Sequence, residues 1–262
     1  MLTPEQIHQN WTDLENVIKT HIAEPRREQL LDLYNKYQDR MILMPASSKK
    51  EYHNSFPGGY VDHVIRVVHS ALALSNVWEV MGADMSTFTK EELVFSALNH
   101  DLGKIGDEDN EAYVPQTDQW RRDKLGEEYT HNTKLEYMTV PERSLYLLTA
   151  NEIRFSKNEL LAIRLHDGLY EEANKSYIMG GWAPETKPRT DLIFIIHQAD
   201  LMASRIEFEK EWNPKFNIAS NLYKENKTIT KTNHNNTKIS IKTKALSTVK
   251  VKDSFQNMLN DL

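Results

Sequence analysis

The chain has 262 residues, of which 39% are hydrophobic and 27% charged, with no cysteine and a formal charge of −6 at neutral pH. That length supports one large domain or two small ones with a sizeable core. The missing thiols exclude disulfide frameworks, zinc ribbons, iron–sulfur clusters and thiolate catalysis, so any bound metal must rest on His, Asp and Glu.

The first fifty residues predict one or two helices, the second holding Leu30, Leu31, Leu33 and Tyr34. Val64, Val67, Ala71, Leu74 and Trp78 then recur at alternating steps of three and four, which predicts a helix over 61–80. Thr89 with Glu92 forms a capping-box pair opening a helix that can stop at Gly103; Ser156 with Glu159 forms another, opening a helix that can stop at Gly168. A further helix starts near Pro141, and Thr190 opens one over 191–212 that is apolar nearly all round, as befits the centre of a bundle. Two long polar segments, 105–135 and 169–189, separate these helices and are candidate walls or lids of a site.

Beyond residue 213 the texture changes. Residues 213–262 hold nine lysines against Glu225, Asp253 and Asp261, a net +6 beside −12 for residues 1–212, and 213–251 is rich in Asn, Lys and Thr. This reads as a flexible basic tail; the alternation over 238–243 suits a strand without an obvious sheet to join. Phe255, Met258, Leu259 and Leu262 close the chain as a short amphipathic helix, suited to a partner's groove or to its own domain. The expected fold is therefore all-α: N-terminal helices over 1–50 packing on a helical core over 51–212, then the tail.

The longest apolar stretch, 192–196, is far below the roughly 20 residues of a membrane span. The opening MLTPEQIHQN has no basic-plus-apolar export signal, so a cytoplasmic location is expected.

Chemistry enters where ionisable residues interrupt apolar faces. His100 and Asp101 end the stripes of Leu93 with Ala97 and of Val94 with Leu98; Asp200 follows Ile193 and Ile196 at seven and four; His63 is one step from the Val64 stripe. Burying such a carboxylate alone costs several kcal/mol or more, so a cation or hydrogen bonds must compensate it. Two imidazoles and two carboxylates from three helices form an N/O site suited to Mn, Fe, Co, Ni, Zn or Mg. His69 lies about 600° around the helix from His63 and so off its face.

In order and spacing, PGGYVDHVIRVV, ALNHDLGKIGD and HQADLMASRIE resemble the HD-domain metal-dependent phosphohydrolase superfamily. Its signature is a His, a later His-Asp doublet often continued as Gly-Lys, and a distant Asp; here His100 follows His63 by 37 residues and Asp200 follows Asp101 by 99. The resemblance spans roughly residues 57–208, and HDGLYEEANKSY with HQADLMASRIE also resembles HD proteins of tailed bacteriophages, for which the compartment is the host cytoplasm.

The resemblance implies an HD-domain helical bundle in which His63, His100, Asp101 and Asp200 bind one divalent metal and Lys104 approaches a substrate phosphate. His166 and Asp167 stand where two-metal members carry a His-His pair, which makes them candidate catalytic residues and His166 a candidate for a second metal. The chain departs from the two-metal pattern at Val140-Pro141, where a His is expected before the Pro; His131, nine residues upstream, is the available substitute. One metal per chain is preferred, with two kept open.

The implied activity is hydrolysis of a nucleotide phosphoester or phosphoanhydride, of nucleotidase, triphosphohydrolase or phosphodiesterase type. Arg121, Arg122 and Lys124 read as solvated surface, and Trp120 and Trp182 as either base-stacking or gap-filling. The alternative is an HD-fold binding module recruited through its basic tail to nucleic acid or to a replication or transcription partner. The intact four-residue set favours catalysis.

Overall fold

The computed structural model describes residues 2–50, 52–180 and 183–211. The basic tail, its 238–243 alternation, its terminal amphipathic turn and Trp182 lie outside the described residues.

The described chain is mostly helical. Thr3 and Gln6 close a capping box on α1 (Pro4–His21), which buries Trp11, Leu14 and Ile18. Helix α2 (Arg26–Lys36) buries Leu30, Leu33 and Tyr34, and a short α3 (Gln38–Leu43) buries Met41. The first fifty residues thus hold three helices rather than one or two. The sequence hides α3 because Gln38, Asp39 and Arg40 interrupt any apolar period, and its packing against α4 supplies what local propensity does not.

Helix α4 (Gly59–Val80) is followed by α5 (Lys90–Asn99), opened by the Thr89–Glu92 capping box. Every residue from 93 to 99 is buried, so α5 is the central element, flanked by α4 and α8. Its end corrects the expected stop at Gly103. The helix closes at Asn99, His100 caps it, and a 3₁₀ turn follows over Leu102–Ile105. Gly103 instead marks close packing: a Cβ there would lie 2.2 Å from the Val140 carbonyl oxygen.

The polar segment over 105–135 carries a small hairpin, β1 (Tyr113–Pro115) antiparallel to β2 (Tyr129–His131), with α6 (Gln119–Leu125) between them. Helix α7 (Val140–Ala150) begins with a Thr139–Glu142 capping box and Pro141 in its first turn. Helix α8 (Lys157–Leu165) begins at the Ser156–Glu159 box, and Gly168 adopts the left-handed conformation beyond it. After a short α9 (Lys175–Ile178) comes α10 (Leu192–Glu211), which buries Leu192, Ile193, Ile195, Ile196, Ala199 and Ala203 against α4 and α8. Among the described residues, no helix is long and apolar enough to cross a membrane.

One local device positions the site. The Pro57-Gly58-Gly59 run turns the chain into α4: Gly58 sits at φ +84°, and a Cβ on Gly59 would lie 2.1 Å from the Asn54 carbonyl oxygen. In an open helix Ala is favoured over Gly by about 1 kcal/mol. Here Gly59→Ala is expected to reverse that sign and to destabilise by about 2 kcal/mol through overpacking, read as a lowered denaturant midpoint at unchanged slope.

Candidate metal centre

Four of the sequence-selected residues converge. His63 comes from α4, His100 from the end of α5, Asp101 from the turn after it and Asp200 from α10. His63 Nε2 lies 3.2 Å from Asp200 Oδ1, 3.5 Å from Asp101 Oδ2 and 3.4 Å from His100 Nε2. His100 Nε2 is 3.4 Å from Asp101 Oδ2 and 3.9 Å from Asp200 Oδ1. His69, by contrast, is exposed on the other side of α4.

The local fold fixes these side chains before any ligand arrives. His100 Nδ1 donates to the Ala97 carbonyl at 2.8 Å and His166 Nδ1 to that of Ile163 at 2.8 Å. A carbonyl only accepts, so both rings carry their proton on Nδ1 and turn Nε2 inward. His63 Nδ1 donates to Glu207, 3.0 Å from Oε2, with the same result. The turn carrying His100 and Asp101 is pinned to α7: Ser144 Oγ accepts from Gly103 N–H at 2.7 Å, and Arg143 Nη1 donates to the Gly103 carbonyl at 3.1 Å.

The donors fit a divalent ion in two overlapping groups, His63 with His100 and Asp101, and His100 with His166 and Asp200. Bonds of about 2.0–2.2 Å to nitrogen and oxygen place neighbouring donors roughly 3.0–3.6 Å apart, close to the spacings here. Two inward-turned imidazole nitrogens facing each other and two carboxylates repel unless a positive charge lies among them. In the ion-free protein protons supply it. Burial opposes charging of His63, but Glu207 above all, with Asp101 and Asp200, holds its pKa well above the usual histidine range. The same opposition acts on Asp101, where Lys104 and His100 outweigh burial and keep the carboxyl well below its ordinary value. Burial is likewise outweighed at Asp200, by its bond from His63 and the charge of His100, so it too stays ionised.

Lys104 Nζ stands 2.5 Å from Asp101 Oδ2, and burial there is overcome by that charge, so the ammonium is firmly held. His166 faces the other oxygen of the same carboxylate, Nε2 to Oδ1 at 3.5 Å, and Asp167 Oδ1 at 3.6 Å. Burial lowers its proton affinity, but the charge of Asp167, then Asp101, raises its pKa to about 9. Asp167 itself is 43% exposed, at the cavity edge.

Asp101, Lys104, His166, Asp167 and Asp200 floor a cavity of about 640 Å³. Ala46, Ser47, Ser48, Tyr52 and His53 form one wall, Tyr113 and His131 from the hairpin another, and Tyr170 with Glu171 a third, so both polar segments border the site. His131 is exposed, with its ring 5.2 Å from that of Tyr113, and belongs to none of the described donor groups close enough to share an ion. Arg121 and Arg122 pair with Glu127 and Glu128 on the surface, and Trp120 is exposed; none of the three lines the cavity.

The structure adds three residues that the sequence reading did not select. Glu207, only 1% exposed, bonds His63 and accepts from Arg66 Nε at 2.9 Å; it lies seven residues after Asp200 and so on the same face of α10, a signal the sequence did contain. His197 Nδ1 donates to the His166 carbonyl at 2.8 Å, in space that Gly168 leaves for its ring. His53 comes from a loop, where no periodicity marks it. No protein-family model matches the chain, and no curated protein or solved structure matches it either.

Proposed function

We propose that this chain is an HD-type metal-dependent phosphohydrolase acting on a nucleotide or related phosphoester. The observation that carries the reading is that His63 and His100 each lie within 3.9 Å of both Asp101 and Asp200, that the two carboxylates line a cavity, and that the Lys104 ammonium stands beside Asp101. These four residues would hold the ion, and an HD-domain helical bundle would be the scaffold. When bound, a divalent ion lowers the pKa of a water and polarises a phosphoryl oxygen.

The chain's own groups do the rest. Asp101 and Asp200 keep the site anionic enough to retain a cation, while the Nδ1 bonds of His63 and His100 fix each ring with Nε2 turned inward. Lys104, already ordered by Asp101, offsets negative charge that builds on the phosphoryl oxygens without having to reorganise. His166 Nε2 faces Asp101 and Asp167 at the cavity, so its imidazolium form would offer a proton to a leaving oxygen.

The test is elemental analysis of the purified full chain, paired with phosphate and pyrophosphate release from nucleotides, cyclic nucleotides and oligonucleotides in Mn, Co, Ni or Mg. About one metal per chain with metal-dependent turnover is expected; near two would bring His166 into the ligand set. A folded, metal-replete protein that hydrolyses nothing in that panel overturns the reading.

A further inference from the structure

Five buried side-chain polar atoms among the described residues have no hydrogen-bond partner: Tyr37 Oη, His53 Nε2, Ser55 Oγ, Tyr60 Oη and Ser96 Oγ. Of the five residues, only His53 lines the cavity. Its ring lies 4.7 Å from the ring of His63, beside the four-donor centre rather than within it. A shielded imidazole nitrogen with nothing to bond is costly, which directs attention to what the cavity receives.

The loop around His53 is built to hold it there. Ser47 Oγ donates to the His53 carbonyl at 2.6 Å, and Ala46 N–H donates to the Asn54 carbonyl at 3.1 Å. Asn54 occupies the left-handed region at φ +44°, uncommon for a residue other than glycine, and Nδ2 donates to Asp62 Oδ2 at 2.9 Å. Asp62 immediately precedes His63 in α4, so the loop and the metal-site helix are tied together.

We infer that His53 contacts the substrate, its Nε2 donating a hydrogen bond to an oxygen of a phosphate group seated at the four-donor centre. The inference rests on the phosphohydrolase reading. A neutral imidazole presents an N–H at Nε2 in one of its two tautomers. The described lining residues of its wall, Ala46, Ser47, Ser48 and Tyr52, bring no carboxylate, so an anion entering there meets hydroxyls and the imidazole, with Lys104 also lining the cavity. A separate ion held by His53, His63 and Glu207 is disfavoured, because Glu207 is already committed to His63 Nδ1 and to Arg66.

The test uses the full chain loaded with Mn and titrated calorimetrically with inorganic phosphate. His53→Phe keeps a ring against His63 and removes the donor; His53→Gln returns a donor at a similar reach. The expected result is phosphate affinity about tenfold weaker in the Phe variant, largely restored in the Gln variant, with metal content and melting temperature unchanged in both. Phosphate affinity unchanged in His53→Phe overturns the inference alone, and loss of metal from that variant overturns it in favour of a ligand role. Wild-type protein that takes up metal but no phosphate removes the inference and the phosphohydrolase reading together.

Discussion

Under the proposed function, replacing Asp101 by Asn is expected to remove metal uptake and to lower hydrolysis by on the order of 10³-fold or more, while the bundle stays folded. The two carboxylate oxygens do different work: Oδ2 faces His63, His100 and the Lys104 ammonium, and Oδ1 faces His166. An amide of the same shape halves the negative charge of the four-donor set and places an N–H₂ either against Lys104 or against His166. The ion-free protein also loses the partner of a buried ammonium, at a cost of about 3 kcal/mol, within the 5–15 kcal/mol typical of a folded domain. Elemental analysis, turnover and a denaturant midpoint on one preparation separate these effects. Asp101→Asn with full metal content and unimpaired turnover would show that the carboxylate is a structural partner of Lys104 only.

Much of this site was legible because helices convert spacing into direction. His63, Asp101 and Asp200 interrupt or flank apolar stripes on α4, at the end of α5 and on α10, and a polar group on such a stripe must point at the core or its edge. Lys104 was picked out by the resemblance rather than by helical spacing, since it lies in the 3₁₀ turn after α5 has ended. Where the backbone leaves the helix that conversion fails. His53 reaches the cavity through a strained turn at Asn54 and a glycine pair, and nothing in the neighbouring residues fixes its direction. Gly103 was misread as a helix stop because glycine serves both left-handed caps and tight packing; only the approach of Val140 from α7 decides between them. The hairpin strands are three residues each, too short for period-two alternation to register. Glu207 is the instructive omission: its position was available from α10, but a glutamate near the end of a charged stretch resembles solvated surface until Arg66 and His63 are seen to enclose it.

Glu207 therefore carries a second quantitative expectation. Carboxylates that bond the outer nitrogen of a metal-bound imidazole typically contribute 10- to 100-fold in metal affinity. Glu207→Gln keeps an acceptor for His63 Nδ1–H and removes the charge, so about a tenfold loss of metal affinity is expected; Glu207→Ala leaves both His63 and Arg66 without that partner, and about a hundredfold loss is expected. The dependence on pH distinguishes this role from general destabilisation. Glu207 is the foremost group raising the proton affinity of His63, so in the ion-free wild type a proton competes with the metal over a wider range of pH. Removing the carboxylate weakens metal and proton binding together. Well above the pKa of His63 in either protein only the weaker metal bond shows, and the deficit is largest. As pH falls, wild-type His63 protonates first, and the deficit must shrink. Metal titrations of wild type and Glu207→Gln at several pH values test this, with the exposed Glu209→Gln, whose partner is Arg205 on the surface, as the control expected to change nothing. A deficit that is constant across pH would place Glu207 as a packing group for α10 rather than as the residue that sets the basicity of His63.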